Sequence, residues 1–320
     1  MDPILSICIP TYNRCQYLKQ SLEALVLNSA FDDEVEVVIS DNCSTDATEQ
    51  VGKEYATKYS NIKYFRNDEN LRDTNFCLAL DRASGQYAKL MNDNHIVSAD
   101  GLQYMKERVR AHLEDRKALF FSGGHLFNHP KTDACECKLF EDFIVHLSYY
   151  VTAIHCFGAW REDWAKVTDR TKYTKLLLNQ DDWAYQVMEN RGNCIIYTGV
   201  VETSLPLGKK YRSGYNWFQV HVANYYDILQ PYIDRGLVSR ESLTKEKKTY
   251  LKSLKGRIIK SYLPWLMPNY QFDTSGKAKI LWKYFKTEPY FHFLVLTSPI
   301  WGPIDTIKIF LGKLFKHIFK

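Results

Sequence analysis

The first hundred residues alternate short apolar runs with stretches of helical spacing. "ILSICIP" (4–10) is β-branched and apolar, suited to a strand buried on both faces, and Pro10 stops it. "CQYLKQSLEALVLNS" then places Tyr17, Leu18, Leu22, Leu25 and Val26 on one helical face. "VEVVIS" reads as a second strand, after which Ser44 or Asp46 can cap the helix "ATEQVGKEYATKY". "IKYFRN" is a third strand, "TNFCLALDRAS" a helix, and "QYAKLM" a fourth strand. Strand and helix alternating in this way predict an α/β fold with a doubly wound, mostly parallel sheet and helices on both faces.

Beyond residue 100 the pattern loosens. "ALFFSGGHLF" and "NCIIYTGVVET" read as strands, and "SYYVTAIHCFGAWRED" as a strand and turn. "DDWAYQVMENRG" reads as a helix ended by Gly192. From about Asp227 the chain is helical and basic. No repeat or low-complexity tract interrupts it.

Ligands of such sheets bind at the carboxyl ends of the strands. Here those ends are "PTYNR" (10–14), "SDNCSTD" (40–46), "NDENLRD" (67–73) and "NDNH" (92–95), all polar. The fourth is unusual, because a motif placed to hold a metal carries a single aspartate, Asp93.

Composition narrows the class. With 45% hydrophobic and 25% charged residues, the 320-residue chain has the balance of a globular protein. No apolar run approaches the ~18 residues needed to span a bilayer, and the first residues lack the basic leader of a secretory signal. The eight cysteines are scattered, with one C-x-C pair (Cys135, Cys137), which predicts reduced packing cysteines rather than a zinc site. The net charge of +5 conceals a split. From Glu241 onward 15 Lys and Arg stand against 5 Asp and Glu, whereas residues 1–240 carry 27 against 32. An acidic body with a basic tail suits an anionic surface.

The ordered set "LSICIPTYNRCQYLKQSLEAL", "VEVVISDNCSTDAT", "NDENLRDTNFCLALDRASGQY" and "MNDN" resembles the nucleotide-sugar half of family 2 glycosyltransferases of the GT-A fold. The resemblance is strong over about 4–105 and weaker through "CFGAWRED" and "QDDWAYQVMENRG". It implies a domain over 1–225, with 1–105 the nucleotide-sugar half and 106–225 the acceptor half, followed by a basic helical extension over 226–320.

It also implies roles. Pro10, Thr11 and Tyr12 would meet the base, with Arg14 supplying charge. Asp41 would hydrogen-bond the nucleoside, Ser44 and Asp46 being left to cap the helix. Asn70 and Arg72 would reach ribose or diphosphate, although relatives often carry glycine where Leu71 stands. Asp73 reads as a helix cap. Asn92 and Asp93 would approach the donor. A divalent cation, Mn²⁺ or Mg²⁺, would draw on Asp93, Asn94 and His95, a set poor in charge whose dependence on metal is open.

Asp182 would be the general base and Asp181 its partner in the acceptor pocket, implying inversion at the anomeric carbon. A carboxylate in the first turn of a helix is favoured in its charged form. Either acid would also stand there merely to complement the helix dipole. Trp160 could offer a sugar platform or pack in the core. "GKKYRSGYNW" (208–217) could close as a lid.

In the tail, Ile307, Phe310, Leu311, Leu314, Phe315 and Ile318 share a helical face opposite Lys308, Lys316 and Lys320. That is the pattern of a helix lying on an anionic membrane surface, and packing on the domain is the competing reading. The resulting expectation is an inverting, hexosyltransferase-like enzyme of bacterial surface polysaccharide biosynthesis. It would be cytoplasmic, peripheral on the inner face of the membrane, with a nucleotide-sugar donor and a glycan or lipid-linked glycan acceptor. Nucleic acid is not an expected partner. The alternative is a catalytically weak sugar-nucleotide-binding subunit of a membrane-associated assembly.

Overall fold

The computed structural model describes residues 3–206, 208, 214–262 and 272–297. The chain separates into two compact units, Met1–Lys209 and Lys210–Lys320. Half of the expected lid at 208–217 (residues 209–213) and the amphipathic segment over 303–320 lie outside the described residues.

In the first unit the elements run β1 (Leu5–Thr11), α1 (Cys15–Val26), β2 (Val35–Asp41), α2 (Thr48–Lys58), β3 (Ile62–Arg66), α3 (Thr74–Asp81) and β4 (Tyr87–Leu90). β5 (His95–Val97), α4 (Gly101–Ala111), β6 (Ala118–Phe121), β7 (Ala134–Cys137), α5 (Phe140–Leu147), β8 (Gly158–Trp160), α6 (Arg161–Lys166), α7 (Asn179–Arg191), β9 (Cys194–Tyr197) and β10 (Glu202–Ser204) follow. The main sheet has the order β3-β2-β1-β4-β8, parallel except for β8. The expected mixed α/β architecture is therefore present.

β1 and β2 are buried along their whole length, yet their two faces differ. Leu5, Ile7, Ile9, Val35, Val37 and Ile39 cluster with Leu18, Leu22 and Leu25 of α1 and with Tyr55 of α2. Each such leucine contributes roughly 1.5–3 kcal/mol by its burial. On the opposite face the polar residues are satisfied through α3 and the turn after it. Ser40 Oγ donates to Asn75 Oδ1 at 2.6 Å, while Glu36 accepts from Ser6 and Ser84. Helices thus cover both faces.

Register places Thr11 beside Asp41 at the carboxyl edge, with β4 ending alongside Cys8. β6-β9-β7 form a second sheet and β5-β10 an antiparallel ribbon. Tyr87 joins the main sheet to the second by donating its hydroxyl to Leu119 O at 2.7 Å. Gly158 is required beside it, since a Cβ there would meet the Tyr87 hydroxyl at 2.3 Å.

Two stretches depart from the sequence reading. In "SYYVTAIHCFGAWRED", expected to form a strand and turn, residues 148–152 and 154–156 make short 3-10 turns and the strand is confined to β8, Gly158–Trp160. "ACEC" is a strand, with Cys135 and Cys137 pointing inward. All eight cysteines are free.

The second unit contains α8 (Tyr225–Asp234), α9 (Arg240–Tyr262) and α10 (Lys277–Phe285), followed by helical residues over 289–297. Its core includes Tyr225, Tyr226, Tyr250 and Phe285 around the buried Glu246, which accepts from both Tyr225 and Tyr226. Lys279, Trp282, Lys283 and Lys286 border a groove of about 660 Å³, and Trp282, Phe293, Val295 and Leu296 are exposed. No described helix is long and apolar enough to cross a membrane.

Candidate active site

The carboxyl edge of the main sheet opens into a cleft of about 380 Å³. Pro10, Thr11, Tyr12 and Arg14 line it from the β1–α1 turn, Asn70, Arg72 and Asp73 from the turn before α3, and Asp93 from the loop after β4. Seven of the residues given a donor-side role in the sequence, with Asp73 beside them, therefore share one cavity of ligand size. The turn holds its shape through Asn13, which adopts φ 52° and whose carboxamide oxygen accepts from the Thr45 and Asp46 amides. Tyr12 is left 42% exposed over the opening.

The opposite wall is built on asparagines. Asn42 Oδ1 accepts from Asn67 Nδ2 and the Leu71 amide, while its Nδ2 donates to Asn70 Oδ1 and Arg72 O. Asn70 in turn accepts the Arg72 amide at 2.9 Å, and Arg72 takes the left-handed conformation at φ 50°. That conformation accounts for the local backbone path: the position that favours glycine is Arg72, and Leu71 precedes it.

Asp73 occupies the N-cap position of α3 but makes no side-chain cap; it faces the cleft. Burial pushes its carboxyl above the ordinary range, with Arg72 opposing.

Asp41 is fully buried and already engaged. Its Oδ1 accepts the Ser44 amide at 3.0 Å and its Oδ2 the Tyr64 hydroxyl at 2.6 Å. Ser44 Oγ and Asp46 are themselves taken up by the Asn13 and Cys15 amides. Asp46 Oδ1 also accepts the Thr48 amide at 3.0 Å, so the second strand end is a bonded knot in which Asp46 caps the start of α2 and Asp41 is not a free acid.

The 92–95 loop sends its side chains in different directions. Asp93 Oδ1 accepts Arg14 Nη1 at 2.9 Å and Oδ2 accepts Thr11 Oγ1 at 3.0 Å. Burial raises the Asp93 carboxyl, against the pull of Arg14 and Thr11. Asn94 Nδ2 donates to Leu205 O, and His95 Nδ1 pairs with Glu202, which also holds the buried Lys89. Asn92 turns toward His95 Nε2 at 3.4 Å. Burial tends to raise the Glu202 carboxyl, but Lys89 and His95 pull it down to about 2.

The expected metal ligands therefore diverge. Among the described residues no group of three or more His, Cys, Asp or Glu is placed to hold a metal ion. A divalent ion about 4 Å from the Arg14 guanidinium would be repelled by roughly 8 kcal/mol at an effective dielectric near 20. As arranged, Asp93, Asn94 and His95 do not fit a bound divalent cation.

Asp181 and Asp182 stand in the first turn of α7 and are not among the residues that line this cleft. Asp182 Oδ2 accepts Gln186 Nε2 at 2.7 Å. Asp181 is fully buried with no hydrogen-bond partner on either oxygen, and burial together with Asp182 pushes its carboxyl well up. A shared acceptor links this helix to the wall of the cleft: Arg170 O receives Trp183 Nε1 of α7 at 2.9 Å and Cys77 Sγ of α3 at 3.6 Å. Trp160 is fully buried, edge-on to Tyr87, with Nε1 donating to Lys117 O. It presents no face to a sugar.

The sequence reading missed Asn42, Asn75 and Phe76 as lining residues, and Lys89 with Glu202 behind the loop. A signal for the last pair was available. Each is a lone charge inside or beside an apolar strand, "YAKLM" and "VVETS", and opposite lone charges in buried strands need one another.

Comparison with known proteins agrees with the strand-end motifs. The chain is 35% identical over 120 residues to the abequosyltransferase RfbV of Salmonella typhimurium, covering 36% of each chain. It is 29% identical over 109 residues to the GalNAc(5)-diNAcBac-PP-undecaprenol beta-1,3-glucosyltransferase of Campylobacter jejuni, covering 33% of this chain and 35% of that one. The matches thus span about a third of these relatives' own length. In fold, the chain resembles the crystal structure of S. aureus TarS with a TM-score of 0.53 at 16% identity, over 75% of this chain and 42% of that chain. Residues 6–117 match the family described as Glycosyl transferase family 2. This segment, about a third of the chain, includes the donor-side strand ends and is where the chain is similar to glycosyl transferase family 2.

Proposed function

We propose that the protein is an inverting glycosyltransferase that moves a sugar from a nucleoside diphosphate-sugar to a glycan or lipid-linked glycan in bacterial surface polysaccharide biosynthesis. The observation that carries this reading is the convergence of Pro10, Thr11, Tyr12, Arg14, Asn70, Arg72 and Asp93 on one cleft at the carboxyl edge of a parallel sheet. Thr11 and the exposed ring of Tyr12 receive the base. Asn70 and Arg72 reach ribose and diphosphate. Asp41 supports this edge from behind by holding the 41–44 turn, and Asn92 steadies the loop that carries Asp93.

The acceptor hydroxyl oxygen attacks the anomeric carbon as its proton passes to Asp182. The bond from that carbon to the phosphate oxygen breaks, and its electron pair leaves with the nucleoside diphosphate. A single displacement of this kind inverts the anomeric centre. Asp181, buried beside Asp182, shapes the acceptor side. Residues 1–105 serve the donor, 106–225 the acceptor and 226–320 a cytoplasmic membrane surface, where a lipid-linked acceptor would be met. Exposed Trp282, in one groove with Lys279, Lys283 and Lys286, supports that last assignment, as do Phe293 and Leu296, exposed in the same unit.

Purified protein incubated with UDP-, GDP-, CDP- and dTDP-sugars and a membrane lipid extract should transfer sugar from one of them. Asp182→Asn should lower the rate by about 10²–10⁴-fold. Undiminished transfer by that variant would remove Asp182 from the mechanism. Flotation with liposomes containing anionic lipid should be lost when Lys279, Lys283 and Lys286 are changed to Glu, and retention would remove the membrane assignment.

A further inference from the structure

The fit test at Asp93 leaves a question of charge. A nucleoside diphosphate needs its negative charge offset, and the cluster expected to do so with a metal ion is dispersed. Asn94 is turned to Leu205 and His95 to Glu202, while both Asp93 oxygens are bonded, to Arg14 and to Thr11.

We propose that the Arg14 guanidinium, held against Asp93 in the donor cleft, takes the diphosphate directly, in place of a divalent ion. This inference rests on reading the cleft as a nucleoside diphosphate site. Three features support it. Arg14 lines the cleft at the junction of β1 and α1 while its side chain remains 29% exposed, so it is both anchored and reachable. The Asp93 carboxylate fixes the plane of the guanidinium, and an arginine fork so fixed matches the oxygens of a phosphate. Arg72 lines the same cleft from the opposite turn, its backbone set by the Asn70 bond, and adds a second permanent charge. As the bond to the anomeric carbon breaks, the electron pair passes to the terminal phosphate oxygen, and guanidinium hydrogen bonds stabilise the charge gathering there. Asp93 is then a positioning residue, and the charge-poor motif is consistent with a site in which arginine does the neutralising.

Calorimetric titration of the full chain with UDP, GDP, CDP and dTDP, in EDTA and then with Mn²⁺ or Mg²⁺, tests this. The preferred diphosphate should bind in EDTA, and adding metal should change its affinity by less than about twofold. Arg14→Ala should weaken the diphosphate by about tenfold or more, leaving the free nucleoside within about twofold. Arg14→Ala with Asp93→Asn leaves no unpaired carboxylate and should lose the diphosphate to the same extent.

Tightening of tenfold or more by metal in the unaltered protein would overturn the inference without the aid of any variant. Equal losses for nucleoside and diphosphate in Arg14→Ala would do so as well. Metal-dependent binding would leave the glycosyltransferase reading standing. Failure of all four diphosphates under every condition would bring down that reading and this inference together.

Discussion

Two regions of the first unit bury carboxylates, and they treat them differently. At the carboxyl edge of the sheet every buried acid has partners: Asp41 has Ser44 and Tyr64, Asp93 has Thr11 and Arg14, and Glu202 has Lys89 and His95. Around α7 the satisfaction is incomplete. Asp163 Oδ2 meets Arg191 at 2.7 Å but its Oδ1 is unbonded, and both oxygens of Asp181 are unbonded. A buried polar group without a partner loses its hydration for nothing in return, so native structures keep few of them. The edge acids are held because they tie loops to strands. Asp181 is held by the packing of its helix against its own preference for water, and that contrast can be tested.

The largest effect should come from breaking a satisfied acid. Glu202→Gln leaves Lys89 charged and almost fully buried without its counter-ion, at a cost of about 3–5 kcal/mol. Urea denaturation at pH 7 measures it, and a loss below about 1 kcal/mol would show that the network is not needed for stability. The pH dependence has a definite sign. Because the Glu202 carboxyl is pulled down to about 2 in the folded protein, its contribution is present above the ordinary carboxylate range. It disappears as pH falls from about 4 toward 2. The variant should lack that component of acid unfolding.

A smaller loss should follow Tyr64→Phe. Asp41 Oδ2 would keep only Arg66 Nε, at 4.0 Å, in place of a 2.6 Å bond from the phenol. A hydrogen bond to a buried charged group is worth roughly 2 kcal/mol, and a denaturation midpoint for the variant measures it. An unchanged midpoint would mean that the turn at 41–44 is held by its backbone alone.

The same contrast marks what could be read from the sequence. The main sheet was legible because period and length identify a buried parallel strand, and the polar ends of those strands are fixed by topology. Hence the polar strand ends could be grouped, and the resemblance to family 2 glycosyltransferases then singled out Pro10, Thr11, Tyr12, Arg14, Asn70, Arg72 and Asp93 within them. The direction of each side chain was not legible. Adjacent residues such as Asp93, Asn94 and His95 look like one ligand set in a string of letters, but the β5–β10 ribbon turns two of them away. Asp41 seemed free because its partner Tyr64 stands 23 residues further along on β3. In "SYYVTAIHCFGAWRED" only Gly158–Trp160 became strand, because apolar composition does not report backbone bonds such as Ala153 N–H to Tyr150 O, which close turns earlier in the segment.

The smallest effect, and the one that isolates the unsatisfied acid, is Asp181→Asn. The amide has the same shape and still lacks partners, so the substitution removes only the capacity to ionise. Below the unfolded carboxyl value of about 3.9, Asp181 is protonated in both states and contributes nothing to the pH dependence. As pH rises through that value the unfolded chain releases its proton, whereas burial and Asp182 keep the folded carboxyl neutral well above it. Folding must then take up a proton, and the stability contributed by this position falls with rising pH.

Asn has no such penalty. The variant should match the unaltered protein near pH 4 and exceed it at pH 8 by at least about 1.4 kcal/mol, the worth of a single unit by which folding raises the carboxyl. Paired urea titrations at the two pH values give the difference directly. A variant less stable at pH 8 than at pH 4, relative to the unaltered chain, would mean that Asp181 is ionised in the folded protein, and the division between the two regions would not stand.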